Sequence, residues 1–229
     1  MTRDRSLLET VQTLLERTYR MQTGLVEVGR FVIGDAGYRC LYREIETVDS
    51  AGTIPGGGVG AKTLVRETPE GIRACIYYPD ELIRCLESHP PQDGLRDANV
   101  DAFAALVEEL DHLLCIAERA RTDRPLTLFE LELHANVSKH LVLARYLSGP
   151  GRPLDERRRV WLRYQLFHKG TYWDDDEATQ SRYRDAARWA LRLLEALPLL
   201  PRGGRIEFLR LFHKATAPAK LELIGGLAA

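Results

Sequence analysis

From about residue 98 onward the apolar side chains recur at helical spacing, and the runs are separated by breakers. The pattern predicts helices over 99–120, with Asn99 as a candidate cap, and over 126–147, after the breaker TDRP. GPGRP closes that pair, and further helices are predicted over 154–168, 176–197 and 204–214. The N-terminal half reads differently. Leu7, Leu8, Val11, Leu14 and Leu15 mark a helix over 5–20. Alternation and β-branched residues predict strands over 24–33 and 37–48. A glycine-rich loop follows at 50–61, then a hairpin, 62–67 and 72–78, about the turn TPEG. Pro79 opens a short helix that His-Pro-Pro ends. The tail over 217–229 receives no assignment. Strands first and helices afterwards indicate an α+β fold, a small antiparallel sheet in the N-terminal half packed on helices, with a helical C-terminal half. Residues 1–229 are read as one domain, with a core over 1–147 and a helical extension over 148–229.

A hydrophobic content of 45% with 28% charged residues is enough for a substantial core. Lysine and arginine number 32 against 33 acidic residues, so net charge offers no argument for nucleic acid or an anionic membrane. Charges interrupt every apolar stretch of the N-terminus, which leaves no signal-peptide core, and no run is long enough to span a bilayer. Cys40, Cys75, Cys85 and Cys115 form no C-x-x-C pair and fit small buried thiols in a reducing cytoplasm. The expectation is a cytoplasmic protein whose partner, if macromolecular, is a protein or peptide.

The chemistry concentrates on the two helices at 99–147. On the first, Phe103, Leu106, Val107, Leu110, Leu113, Leu114 and Ala117 fill an apolar arc, with Asp101, Glu108, Asp111, His112, Glu118 and Arg119 opposite. Glu109 projects beside the apolar arc, where a carboxylate must be paired, protonated or bound to a cation. His112 neighbours both Glu108 and Glu109 along the helix. On the second helix, Glu130, His134, Ser138 and Arg145 form a strip read as its solvent face. Glu132, Asn136 and His140 form another strip among Leu128, Phe129, Leu143, Tyr146 and Leu147, which suggests a buried network or a site.

Glu108-Glu109-Leu110-Asp111-His112 resembles the H-E-x-x-H helix of zinc metallopeptidases, with Glu108 in place of the first histidine. Glu132-Leu133-His134-Ala135-Asn136 resembles the helix that supplies the third zinc ligand of gluzincins. The α-β-β-β order before it is similar to a minimal zincin fold, so the likeness covers roughly residues 5–147. The resemblance implies Zn²⁺, with His112, Glu132 and Glu108 as ligands and Glu109 as general base toward an activated water. Asn136 and His140 would stand behind them. Two carboxylates and one imidazole make a harder, more anionic set than the usual one. The implied activity is that of a metal-dependent, peptidase-like hydrolase. The alternative is a non-catalytic zincin-derived domain that has lost its metal and binds a partner. Such a domain is expected to tie Glu109 to an arginine or a hydroxyl.

Several plainer readings compete. Glu108, Asp111 and His112 can be a solvated helix face. Glu109-x-x-His112 is also half of a di-iron carboxylate motif, but Glu130 and His134 are one residue too far apart to form the second half. Gly56–Thr63 lacks the glycine that a phosphate loop needs before Lys62. Asp174–Glu177 reads as a helix N-terminus, Arg157–Arg159 with Arg163 as a solvated face, and His168 and Tyr172 as loop residues. His213 is read as a favourable charge at a helix C-terminus.

Overall fold

The computed structural model describes residues 5–46, 60–149, 152–169 and 177–227. It begins with helix α1, Leu7–Tyr19, opened by a capping box in which Ser6 and Glu9 bond each other's backbone N–H groups. A turn of 3-10 helix, Val28–Phe31, leads to the two-residue strand β1, Val32–Ile33. Helix α2 spans Asp35–Glu46. Strands β2, Lys62–Thr68, and β3, Gly71–Tyr77, form the expected hairpin. Helices α3, Asp80–Ser88, α4, Val100–Thr122, and α5, Leu128–Ser148, follow. Helix α6, Glu156–Arg163, continues as a π-helical turn to His168. Helices α7, Glu177–Ala196, α8, Arg202–Lys214, and α9, Ala217–Leu227, complete the described chain. No described helix is long and apolar enough to cross a membrane.

The α+β organisation is as expected, but two strand assignments change. The stretch 24–33 is mostly not extended, because Gly24 and Glu27 adopt positive φ and break the run. The stretch 37–48 is largely helix. Tyr38, Leu41, Tyr42 and Ile45 alternate only in part and also fit helical spacing. The N-terminus of α2 settles the matter: the Asp80 carboxylate accepts the Asp35 N–H at 3.1 Å. The sheet is mixed rather than wholly antiparallel, in the order β1-β3-β2. β1 runs parallel to β3, with Val32 opposite Ile76. β2 runs antiparallel to β3, with Leu64 opposite Cys75. The tail left unassigned is α9.

The core lies where α4 meets its neighbours. Phe103, Val107, Leu110 and Leu114 of α4 are wholly buried, as are Val11 and Tyr19 of α1, Ile76 of β3 and Phe212 of α8. Burying such side chains is the main driving force of the fold, at about 1.5–3 kcal/mol each. The hairpin packs on α4, and the Tyr78 hydroxyl donates to the Leu106 carbonyl at 2.7 Å. α4 and α5 pack antiparallel: Arg119 meets Glu130 near their connection, and Glu108 meets Lys139 far from it. The C-terminal helices return to this core, α7 against α5 and α8 against α1, with His213 of α8 reaching His134 of α5.

That return overturns the reading of one strip of α5 as a solvent face. Glu130, His134 and Ser138 are 4%, 2% and 0% exposed, and of that strip Arg145 alone is exposed. Asp111 and Arg119 of α4 are buried with them. His213 is not at a solvated helix end either, since it is buried against His134. Of the cysteines described, Cys115 is buried, Cys75 and Cys85 are partly so and Cys40 is exposed. Asn99 precedes α4 but does not cap it, because its Oδ1 accepts the Arg96 N–H at 2.9 Å while its amide donates to the carbonyls of His89 and Gly94.

Candidate metal centre

The antiparallel register of α4 and α5 brings Glu108, His112 and Glu132 together. One side-chain donor atom from each lies within 4.8 Å of the other two. Glu108 and His112 are one turn apart on α4, and Glu132 faces them from α5. Helix α5 is fixed by a capping box, Thr127 with Glu130, which the sequence carries as Thr-x-x-Glu. The three residues proposed as ligands on sequence grounds therefore converge.

His112 is oriented by its neighbour. Its Nδ1 lies 3.5 Å from Glu109 Oε2. Its Nε2 is buried with no hydrogen-bond partner among the described residues. An imidazole with one nitrogen on a carboxylate and the other unpartnered is the arrangement common to metal-binding histidines. Glu109 is itself held: the Thr63 hydroxyl at the start of β2 donates to its Oε2 at 2.8 Å and lies 3.0 Å from its backbone carbonyl. Glu109 thus faces the Nδ1 side of His112 rather than the Nε2 side.

The electrostatics are those of crowded carboxylates out of water. Burial pushes the Glu132 carboxyl up to about 7, and His112 only partly offsets this. For His112, burial by itself lowers the pKa, but Glu109, Glu132 and Glu108 outweigh it and lift the imidazole to about 9. Glu108 also suffers burial, yet it stays below the usual carboxylate range because Lys139 Nζ stands 2.9 Å from Oε1. Three carboxylates and one imidazole on partly dry helix faces make a cation-seeking site. Lys139 supplies one fixed positive charge to it.

Asn136 and His140 do not join the cluster through their side-chain hydrogen bonds. The Asn136 amide donates to the Glu132 backbone carbonyl of its own helix at 2.9 Å. His140 Nδ1 is buried without a partner among the described residues, and burial, then the charge of Arg159, lowers its pKa to about 4. His168 is exposed at the end of the π-helical turn, whereas Tyr172 and Asp174–Asp176 lie outside the described residues, as does most of the glycine loop. Lys62 and Thr63 begin β2 rather than a helix, so the loop lacks the helix N-terminus that would face a phosphate.

Compared with known proteins, the chain matches no family model, no curated sequence and no solved structure.

Asp111, Cys115, Glu118, His134 and His213, which in the sequence read as helix-face, thiol and helix-end residues, form a second, largely buried array where α4, α5 and α8 meet. The signal available was His134, two residues from Glu132 on the same helix. No local pattern connects it to His213, seventy-nine residues later.

Proposed function

We propose that the protein is a metal-binding, zincin-like domain, with metal-dependent hydrolysis of a peptide or related bond as its activity. The observation that carries this reading is the convergence of Glu108, His112 and Glu132 with the His112 Nε2 left buried and unpartnered. These residues would hold the ion. The donor set, two carboxylates and an imidazole, suits Zn²⁺ or a somewhat harder divalent transition metal. A bound divalent ion would supply Lewis-acid polarisation of a carbonyl oxygen. In this reading Glu109 fixes the ring of His112 through Nδ1 and Thr63 fixes Glu109, so Glu109 acts as a positioning residue.

A second reading has a specific observation behind it. A non-catalytic domain should tie Glu109 to a hydroxyl or an arginine, and the Thr63 hydroxyl does bond it at 2.8 Å. In that case the cluster binds a structural ion or none, and the function lies in a protein contact.

Elemental analysis of protein prepared without chelator or polyhistidine tag tests the first reading. The His112→Ala variant should contain about one equivalent less transition metal than the wild type. Equal metal content in the two would refute it. Hydrolysis of a peptide library that the wild type performs and folded His112→Ala does not would support the enzymatic reading over the non-catalytic one.

A further inference from the structure

We infer that Cys115, His134 and His213 form a second, closed divalent-metal site, in which Asp111 and Glu118 orient the two imidazoles. It shares no residue with the Glu108, His112 and Glu132 cluster, and on α5 the two contributors, Glu132 and His134, stand about 200° apart around the helix.

One donor atom from each of the three residues lies within 4.8 Å of the others, and all three residues are buried. The two imidazoles meet head to head, His134 Nε2 at 3.0 Å from His213 Nδ1. Each has its outer nitrogen on a carboxylate: His134 Nδ1 is 2.7 Å from Asp111 Oδ2, and His213 Nε2 is 2.5 Å from Glu118 Oε2.

Ionised carboxylates accept only, so the outer nitrogen of each ring carries the proton. Two neutral rings therefore present bare lone pairs to each other across 3.0 Å. A positive species must sit between them, either an extra proton or a metal ion. Two imidazole nitrogens at about 2.0–2.1 Å from a tetrahedral zinc stand roughly 3.3 Å apart, close to the spacing present. Carboxylate–histidine pairs on both sides are the outer partners that ligating histidines normally have.

Two further features favour the metal. Cys115 supplies a soft third donor, with Sγ 3.5 Å from His134 Nδ1 and 3.9 Å from Asp111 Oδ2. A coordinated ion would deprotonate its thiol. Asp111 Oδ1 is a buried acceptor with no partner among the described residues. Uptake of the metal releases the thiol proton and whatever proton lies between the rings, with no redox change. With three protein donors in the dry junction of α4, α5 and α8, such an ion would be structural.

Cobalt tests this, because only a site with a thiolate gives a sulfur-to-cobalt charge-transfer band in the near ultraviolet. Full-length protein unfolded in chelator and refolded with Co²⁺ should show the band, and so should His112→Ala, which lacks the first site. Cys115→Ala should lose it while keeping its helical circular dichroism. No band in refolded wild type would overturn the proposal and leave a proton between the rings. A band that survives in Cys115→Ala would also overturn it. X-ray absorption of zinc-loaded His112→Ala reads the ligands even if Cys115→Ala does not fold. One sulfur at about 2.3 Å with imidazole nitrogens supports the site, and a shell of oxygen and nitrogen alone refutes it.

Discussion

At the scale of single residues, the proposed centre separates donors from the groups that position or oppose them. Glu109 touches His112 Nδ1, so Glu109→Ala should weaken metal affinity roughly 10–100-fold, measured by chelator competition, without abolishing binding. An unchanged affinity would mean that Glu109 does not position the ring. Lys139 does the opposite. Its ammonium group neutralises Glu108 at 2.9 Å and repels an arriving cation. Lys139→Met should therefore tighten metal binding, by about tenfold. Weaker binding in that variant would remove Glu108 from the ligand set. The identities of Glu108, Glu109, His112 and Glu132 could be read from spacing along two helices. Their division of labour could not, because Thr63 and Lys139 arrive from other turns and another element.

At the scale of elements, α4 and α5 act as one hairpin, and a local interaction fixes its second arm. The Thr127 hydroxyl accepts the Glu130 N–H at 3.1 Å, and Glu130 Oε2 accepts the Thr127 N–H at 3.1 Å. Thr127→Ala should cost about 1 kcal/mol of stability in urea denaturation. Metal stoichiometry should be unchanged, because the buried faces of α5 rather than its cap set the register. A loss of metal with preserved folding would contradict that. Long helices were legible in sequence because their periodicity extends over many turns. The short segment 35–46 was not: Tyr38, Leu41 and Ile45 satisfy two templates, and Asp80 on another element decides between them. The strand expected over 24–33 fails for a backbone reason, the positive φ of Gly24 and Glu27.

At the scale of the whole molecule, the C-terminal helices turn polar strips into interior. They do so at the cost of burying ionisable groups, and acid should expose it. The folded-state pKa of His140 is depressed to about 4, against about 6.5 in an unfolded chain. The unfolded chain binds the proton more readily, so this contribution is fully present above pH 6.5 and is lost as pH falls toward 4. Roughly 2–3 kcal/mol of stability should disappear across that window, and His140→Gln should flatten this part of the profile in denaturation at stepped pH. An identical slope in the variant would assign the acid loss to other groups. The sequence by itself determined the helix-rich α+β class, the hairpin at 62–77 and the two helices with the candidate ligands, because each depends on periodicity, turn residues and i, i+4 spacing within one segment. Only the tertiary structure decided that β1 pairs in parallel, that Glu130, His134 and Ser138 are interior, and that His213 meets His134. The last two depend on which surfaces are removed from water when α8 and α9 return to α4 and α5, the first on which strand edge β1 meets, and no local pattern encodes those contacts.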